Sequence, residues 1–390
     1  MKILLVVSSA NDIFIYNLAK WLKLSINCSL DAFELNSSSS AHQEDSSSLF
    51  DNIGLASKNK WWMKLKLFRF VFSPISFSKQ LDGFVSQKRY DVIHIQGVWS
   101  YIPLTQKLKS NTEKLFVSFW GNEHLMGKIW SSHVIYDYKL KKFIKSVDGI
   151  TGATARLQIM HKLFPQTPLY ECRLGIASLD QIEILNKTYT KDNSKKYWHM
   201  PTNKTSVLIG YSGKRIHNHI EIIHELKKHV DLYDKIHLLA PMTRGATTSY
   251  IKEVEMALSM SGYSYTLIKD KFLSDDEIAR LRHSTDIVLQ FAQNDAYSRS
   301  IIESICAGAI MIYGNWINYK DLLANDNFEA IEANSISDGI RILENYIVSP
   351  EKYTTIGERN TSVGCKQFLW SECIKDFVSI YKGRKDVEVF

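Results

Sequence analysis

Short apolar runs alternate with amphipathic stretches along the whole chain. The run at residues 3–7 predicts a buried strand, and apolar positions at three- and four-residue steps between residues 15 and 22 predict a helix after it. The same pattern predicts further strands in the first half at residues 90–95, 114–120, 147–151 and 169–174. Strands that alternate with helices are typical of βαβ units and a mostly parallel sheet.

The pattern stops in the polar stretch 186–205, which we interpret as a linker, and then restarts. Further strands are predicted at residues 206–211, 235–240, 263–268, 286–291 and 309–313, and helices at 218–230, 250–260, 274–283 and 298–307. We therefore predict an α/β fold of two doubly wound domains, residues 1–190 and 203–365. Ligands of such sheets bind at the carboxyl ends of strands, so the cleft between the domains is the predicted site.

Composition agrees with two globular domains and excludes several other classes. The chain has 390 residues, of which 45% are hydrophobic and 23% charged, and this excludes disorder, collagen and coiled coil as descriptions of the whole. The longest apolar run near the start is too short for a transmembrane helix or a signal peptide. The five cysteines contain no C-x-x-C pair, so we expect neither a disulfide scaffold nor a zinc site. We expect the protein to reside in a reducing cytosol.

Several nucleotide and catalytic motifs are absent from the sequence. It contains no G-x-G, no P-loop, no G-x-S-x-G and no H-E-x-x-H. It also lacks D-x-D, which weakens any proposal of carboxylates that hold a metal on a sugar nucleotide. The net charge is +10 over residues 1–200 and −3 over residues 201–390, so the first half is expected to face an anionic partner such as a membrane surface or nucleic acid.

Residues 294–309 are the most informative segment for chemistry. Asp295 follows a predicted strand, and Glu303 lies eight residues later inside a predicted helix. The backbone N–H groups of the turn between them favour an anion, while the two carboxylates could accept from sugar hydroxyls and from a ribose diol. The turn adds Tyr297, Ser298, Arg299 and Ser300 as candidate donor-binding residues.

Cations on two other loops could neutralise a diphosphate. Lys214 and Arg215 precede a predicted helix, and Arg244 follows a predicted strand. Arg can grip phosphate oxygens with two hydrogen bonds, and one preorganised cation typically lowers a barrier by about 3–4 kcal/mol. His217, His219 and His224 have no acid or cysteine that completes a ligand set, so a zinc site is not expected.

The acidic-x7-Glu pattern, followed by Ala-Gly and a strand, resembles the signature of GT-B glycosyltransferases of the family 4 type. The resemblance covers nearly the whole chain. It includes the opening strand 1–7, the D-apolar-apolar-His strand 91–94, Trp120-Gly121-Asn122-Glu123 at the position of the family's His-Gly-x-acid, the loop 174–180, the base-contacting loop and helix 271–278 with Leu273, and the segment 368–370 before a terminal helix that crosses back onto the first domain (residues 366–390).

Three positions depart from that family. Asp295 stands where Glu is usual, and Trp120 stands where His is usual. The family's Gly-Arg…Lys-Gly phosphate clamp is replaced by the segment 210–215, which contains Gly213. Together with His219 and the Pro241-Met242 pair, this segment resembles the lipid-linked 4-acetamidofucose transferases of surface-polysaccharide synthesis.

The resemblance implies a retaining, metal-independent and cofactor-free transfer of a sugar from a nucleoside diphosphate to a glycan or lipid-linked acceptor. Asp295, Lys214, Arg215 and Glu123 are then the catalytic candidates, and Glu123 only orients hydroxyls. Glu303, Gly213, Arg244, Leu273 and the turn 297–300 are the candidates for donor binding. The departing phosphate oxygen accepts the acceptor's proton, so no protein base is required.

Residues 58–72 predict a contact with a membrane. The segment carries cations and aromatic residues and no acid, and Trp and Phe prefer the bilayer interface while Lys and Arg reach anionic headgroups. The candidate membrane residues are Lys60, Trp61, Trp62, Lys64, Lys66 and Arg69. We therefore expect a cytoplasmic protein on the inner face of the membrane; a packed amphipathic helix is the other interpretation of this segment.

Two other functions stay open at the level of sequence. A GT-B sugar-nucleotide epimerase would share the fold and the donor, but it needs paired acid and base residues and no membrane face. A nucleic-acid-binding protein could use the basic first half, and its binding would weaken steeply with salt. No nucleic-acid-binding module is recognisable, so nucleic acid is not an expected partner.

Overall fold

The protein consists of two compact units. The computed structural model describes residues 1–10, 12–35, 48–56, 79–97, 107–119, 141–269, 271–295 and 297–383, without the side chains of residues 107, 155, 156, 363 and 364. The first unit contains residues 1–174 and 371–390, and the second contains residues 175–370. The chain therefore passes twice from one unit to the other, and the terminal helix from Ser371 onward belongs to the first unit.

The described part of the first unit contains a parallel seven-stranded sheet with the order β3-β2-β1-β4-β5-β6-β7. Except for the exposed edge strand β3, its strands consist mainly of buried apolar residues, which parallel sheets covered by helices require. The elements are β1 Lys2–Val7, α1 Ile13–Ser25, β2 Ser29–Glu34, β3 Asn52–Leu55, β4 Tyr90–Gln96, α2 Lys107–Ser110, β5 Thr112–Ser118, β6 Gly149–Gly152, α3 Thr154–Leu163 and β7 Leu169–Glu171.

The terminal helix α13, Trp370–Tyr381, is fastened to the first unit by a buried histidine. Nδ1 of His94 lies 2.6 Å from the Tyr381 hydroxyl, and its Nε2 lies 2.8 Å from Ser118 Oγ and 3.1 Å from Thr151 Oγ1. The Lys114 ammonium also donates to the Tyr381 carbonyl at 2.8 Å. His94 is thus a core histidine whose ring nitrogens both have partners, and burial lowers its pKa to about 3.

The described part of the second unit contains a parallel six-stranded sheet with the order β10-β9-β8-β11-β12-β13. Its elements are α4 Ala177–Thr188, α5 Lys191–Tyr197, β8 Thr205–Ile209, α6 His219–Leu226, β9 Ile236–Pro241, α7 Thr248–Ser259, β10 Ser264–Ile268, α8 Asp275–His283, β11 Ile287–Gln290, α9 Arg299–Cys306, β12 Ile310–Gly314, α10 Lys320–Asn325, β13 Ile331–Ala333, α11 Ile336–Val348 and α12 Thr354–Arg359. Helix α8 is capped at its N-terminus by Ser274, which forms a capping box with Glu277.

The structure differs from the sequence-based prediction at the linker. Residues 186–205 are not irregular throughout: α4 runs to Thr188, and α5 occupies Lys191–Tyr197 after a capping box of Thr190 and Asn193. Helix α5 is held by the buried ammonium of Lys195, which lies 2.7 Å from an Asp286 oxygen. The unit boundary consequently falls at residues 174/175 and not near 190, and the return crossing falls at 370/371 and not at 366.

Three short strands were not predicted from sequence. Strand β2 contains Asp31, a polar residue that breaks the apolar pattern and is nonetheless 2% exposed. Its carboxylate accepts from Asn52, Lys88 and Tyr90 at 2.8–2.9 Å, contacts that no local pattern reveals. Strands β3 and β13 have only four and three residues, which is too short for periodicity to register.

One disulfide was also not expected. Cys306 at the end of α9 is bonded to Cys365, which lies five residues before the return crossing begins at Trp370. Cys28, Cys172 and Cys373 are free and buried. None of the helices in the described ranges combines the length and apolar character needed to cross a bilayer.

Candidate functional site

The carboxyl edge of the second sheet is the natural place for a ligand. The chain builds β8, β9 and β10 outward in one direction and then β11, β12 and β13 in the other, so the strand order reverses between the adjacent strands β8 and β11. Ligands of open α/β sheets bind at such a switch point. The loops that leave β8 and β11 carry Tyr211 and Asp295.

The Asp295 carboxylate is held by three side-chain donors. Its Oδ1 accepts from the Tyr211 hydroxyl at 2.7 Å, and its Oδ2 accepts from Gln290 Nε2 at 3.1 Å and from the Tyr319 hydroxyl. Burial raises the pKa of Tyr211 and of Tyr319, and the neighbouring Asp295 raises both further, so both phenols keep their protons and donate. Asp295 is therefore a fixed acceptor at the switch point.

The turn after Asp295 is strained at Tyr297. This residue has φ 60°, the left-handed region that a bulky side chain rarely adopts. Its ring packs edge-on against the Tyr319 ring, with centroids 5.5 Å apart. Strain of this kind persists only where surrounding contacts hold it, and it concentrates at functional sites.

Glu303 lies in a buried ion pair. It is 8% exposed, its Oε1 accepts from Ser178 Oγ at 2.8 Å, and its Oε2 accepts from Arg282 Nε at 3.2 Å. Arg282 is 4% exposed, and its Nη1 has no hydrogen-bond partner among the described residues. The carboxylate that the sequence assigned to a ribose thus already joins α4, α8 and α9.

The loops after β8 and β9 pack tightly against each other. The Gly213 N–H donates to the Arg244 carbonyl at 2.8 Å, and a Cβ on Gly213 would lie 2.3 Å from that of Ala246. The Lys214 side chain runs over Gly245, which has φ +72°. This close approach requires glycine at both positions and brings Lys214 and Arg244 onto neighbouring loops, whereas the Gly213 amide is already occupied.

The cations on these loops differ in their partners. The Arg215 guanidinium lies 2.6 Å from Glu253 Oε1 and 4.3 Å from the centre of the Tyr250 ring. Lys214 and Arg244 are exposed, and within the described ranges neither ammonium nor guanidinium has an acidic partner. Lys214 and Arg244 are thus better placed than Arg215 to meet an anion.

Two buried histidines support the same corner. The His217 ring packs 4.3 Å from the Tyr211 ring, and its Nε2 lies 2.9 Å from Ser212 Oγ. His219 Nδ1 lies 3.2 Å from the Tyr250 hydroxyl. Burial lowers the pKa of His217 to about 4 and that of His219 to about 3, so both rings are neutral at pH 7 and neither is a cation for a phosphate.

The remaining sequence-predicted residues occupy mixed positions. Ser298 precedes the first residue of α9, Arg299 and Ser300 form its first turn, and all three are half-buried. Leu273 packs against the core of the second unit. Glu123 and the proposed membrane segment 58–72 lie outside the described residues, so their assignments stay predictions.

Sequence analysis missed the residues that hold the two carboxylates. Tyr211, Gln290 and Tyr319 surround Asp295, and Ser178 and Arg282 hold Glu303. The one available signal was Gln290, a polar residue at the end of a strand that is otherwise apolar and buried. In the described part of the chain, no three His, Cys, Asp or Glu side chains cluster in a way that could hold a metal ion.

Comparison with solved structures identifies the architecture. A glycosyltransferase from Rickettsia africae has a TM-score of 0.67 at 13% identity, covering 98% of this chain and 97% of that one. The Escherichia coli trehalose-6-phosphate protein bound with UDP-2-fluoro glucose has a TM-score of 0.64 at 11% identity, covering 98% and 99%. The UDP-GlcNAc 2-epimerase from Neisseria meningitidis bound to UDP-GlcNAc has a TM-score of 0.63 at 13% identity, covering 97% and 100%.

These similarities concern the fold, because every identity is far below the level at which activity can be transferred. No protein-family model matches the sequence, and no curated protein matches it. This chain contains two parallel sheets, and it superposes on these structures over nearly its full length. The chain therefore has the GT-B fold of two Rossmann-like units.

Proposed function

We propose that the protein is a glycosyltransferase that takes a sugar from a nucleoside diphosphate sugar. The observation that carries this proposal is the arrangement at the switch point of the second sheet. A carboxylate fixed by three donors, Asp295, follows β11, and two cations without acidic partners among the described residues, Lys214 and Arg244, follow β8 and β9. A carboxylate that accepts hydrogen bonds from sugar hydroxyls, beside cations that bind phosphate, suits a sugar diphosphate.

The hydrogen-bonding capacity of the two carboxylates supports different roles, with Glu303 binding the ribose and Asp295 binding the sugar. An ionised carboxylate offers about four acceptor positions. Glu303 uses one on each oxygen within the described structure, which leaves one on each oxygen for a vicinal diol such as that of ribose. Asp295 uses at least three, so it can accept at most one hydroxyl. The nucleobase of the donor would lie near the loop that contains Leu273.

We also infer retention at the anomeric carbon and no requirement for a metal. The negative charge that develops on the leaving diphosphate is neutralised by Lys214 and Arg244, and the departing phosphate oxygen takes the proton of the acceptor hydroxyl. Cations already in place stabilise this charge without reorganisation. Arg215 could join them only after leaving Glu253.

Removing the two unpaired cations tests the phosphate assignment. The double variant Lys214→Ala/Arg244→Ala is expected to bind the preferred nucleoside diphosphate roughly 100-fold more weakly, because each lost charge-assisted contact costs about 1.5 kcal/mol or more. A thermal-shift screen with UDP-, GDP-, dTDP- and CMP-sugars identifies the preferred donor. Calorimetry in the presence of EDTA then measures the affinity, which EDTA should leave unchanged.

Lys227→Ala is the matched control for that experiment. Lys227 is exposed and follows α6, whose carboxyl end lies at the opposite edge of a parallel sheet because helices run antiparallel to strands. Its removal changes the net charge by the same amount as either single variant, Lys214→Ala or Arg244→Ala, and should leave affinity intact. Equal losses in the control and in either single variant, or none in the double variant, would contradict the phosphate assignment.

We further propose a lipid-linked or glycan acceptor, as in the synthesis of surface polysaccharide, and a peripheral position on the inner face of the membrane. This rests on the basic and aromatic segment 58–72 of the sequence. Each cation near an anionic leaflet contributes about 1 kcal/mol to binding.

Vesicle flotation tests the membrane proposal. The protein is expected to float with vesicles that contain anionic lipid and to remain unbound with neutral vesicles, and Lys64→Glu/Lys66→Glu should abolish flotation. Lys227→Glu is the control for added negative charge. Equal binding to neutral and anionic vesicles, or binding to neither, would remove the membrane assignment.

A sugar-nucleotide epimerase is the second candidate, because the fold is also similar to that of the Neisseria enzyme. Product analysis separates the two candidates. An epimerase converts its sugar nucleotide without any acceptor, whereas a transferase releases nucleoside diphosphate in proportion to glycosylated acceptor. Nucleic-acid binding ranks last and would appear as binding that falls steeply with salt and ignores sugar nucleotides.

A further inference from the structure

Tyr319 occupies the centre of the hydrogen bonds around Asp295. It is 0% exposed and immediately precedes α10. Its hydroxyl donates to Asp295 Oδ2 and accepts from Gln290 Nε2 at 3.0 Å. Because Gln290 Nε2 also donates to Asp295 Oδ2 at 3.1 Å, the three groups form a closed triangle.

This triangle connects three elements at one edge of the sheet. Gln290 is the last residue of β11, Tyr319 follows β12, and Asp295 lies in the loop between β11 and α9. The loop is otherwise connected to the β8 side by Tyr211, which bonds the opposite carboxylate oxygen. Tyr319 and Tyr211 therefore hold Asp295 from the two sides of the switch point.

The ring of Tyr319 has a second contact that is independent of its hydroxyl. It packs edge-on against Tyr297, the residue whose φ of 60° strains the turn before α9. An aromatic contact can hold such a turn without any polar group. The hydroxyl thus acts on the carboxylate, whereas the ring acts on the turn.

We propose that Tyr319 is a positioning residue for recognition of the donor: its hydroxyl orients Asp295 toward the sugar, and its ring maintains the turn that faces the diphosphate. This inference rests on the proposed sugar-nucleotide function. The two contributions of Tyr319 can be measured separately. Binding of the intact sugar nucleotide depends on both the hydroxyl and the ring, whereas binding of the sugar-free nucleoside diphosphate depends on the ring alone. Asp295 with three donors has one remaining acceptor position at most, so its orientation decides whether a sugar hydroxyl can use it.

Tyr319→Phe tests the contribution of the hydroxyl. The ring and its contact with Tyr297 remain, and Asp295 keeps Tyr211 and Gln290, so the variant is expected to fold. Calorimetry should show affinity for the intact sugar nucleotide reduced about tenfold, while affinity for the sugar-free nucleoside diphosphate stays within twofold of the wild type. A general structural defect would weaken both ligands equally.

Tyr313→Phe is the matched control. Tyr313 is 3% exposed, its ring lies 5.6 Å from that of Tyr319, and its hydroxyl donates instead to Glu332 at 3.1 Å. It should leave both affinities unchanged. Tyr319→Leu removes ring and hydroxyl together and should also weaken binding of the nucleoside diphosphate.

The outcomes separate this inference from the proposed function. If the wild type binds sugar nucleotides and Tyr319→Phe changes neither affinity, or changes both equally, the positioning role is wrong and the proposed function stands. If Tyr319→Leu binds nucleoside diphosphate like the wild type, the role of the ring is wrong. If the wild type binds no sugar nucleotide at all, the proposed function fails, and the role in sugar recognition fails with it.

Discussion

Lowering the pH from 7 to 5 is expected to unfold the protein, and the second unit before the first. Burial lowers the pKa of His94 and His219 to about 3 and that of His217, His237 and His283 to about 4. All five are at most 3% exposed, and all but His94 belong to the second unit. Each must remain neutral in the folded state and gains a proton on unfolding.

The sign and size of the effect follow from linkage. A histidine whose folded pKa lies below its unfolded value of about 6.5 stabilises the protein fully above pH 6.5 and loses that contribution as the pH falls toward the folded pKa. At pH 5.5 each of the five has lost about 1.4 kcal/mol, which amounts to about 6 kcal/mol for the four histidines of the second unit. This is comparable with the whole stability of a typical domain, about 5–15 kcal/mol.

Chemical denaturation at a series of pH values measures this effect. The unfolding free energy should fall from pH 6.5 downward with a slope that approaches uptake of about five protons, about four of them on the second unit. His237→Gln removes one titrating group and should therefore reduce the slope by about one proton. The variant is expected to fold, because the amide can replace the hydrogen bonds of the ring to Ser264 and Thr266. A stability that stays constant from pH 7 to 5 would contradict the buried neutral histidines.

Replacing Glu303 by Ala is expected to cost both stability and donor binding. The change leaves the Arg282 guanidinium buried without its ion-pair partner, which typically costs about 3–5 kcal/mol. For a unit of this size that corresponds to a fall in Tm of roughly 6–20 °C. It also removes the proposed acceptor for the ribose, so nucleoside diphosphates should no longer stabilise the variant.

A double variant separates these two effects. Arg282→Met/Glu303→Leu removes both charges and fills the space with apolar atoms, a change that is often neutral or stabilising for a buried ion pair. It should regain most of the lost Tm and still fail to bind nucleoside diphosphate. Ser178→Ala is the milder control, with a loss of about 1 kcal/mol. Recovery of ligand binding in the double variant would rule out Glu303 as a donor contact.

The sequence predicted most strands well, but it missed the helices α4 and α11 and the elements that depend on tertiary contacts. Five of the six strands of the second sheet were predicted within a few residues, because apolar side chains dominate most of them. Helix α5 was mistaken for linker because its seven residues are polar. It is stabilised by Lys195 and Asp286, which are 91 residues apart, and no local pattern reports such a contact.

The candidate site shows the same division. The position of Asp295 after a strand and of Glu303 within a helix followed from periodicity, and both are where the sequence placed them. The assignment of Arg215, together with Lys214, as a phosphate-binding cation did not anticipate Glu253 and Tyr250, which lie 38 and 35 residues beyond Arg215. A charged side chain on a loop has several partners within reach, and only the fold selects one.

By itself, the sequence determined that this chain forms two sets of alternating strands and helices and that one strand end carries an acidic residue ahead of a helix. Apolar periodicity is enough for that, because it indicates which faces of each strand and helix must be buried. Only the tertiary structure decided which donors meet the carboxylates: Tyr211 reaches Asp295 across 84 residues, and Ser178 reaches Glu303 across 125. These partners follow from the order of strands in the sheet, which is set by packing between elements and not by the pattern within any one of them.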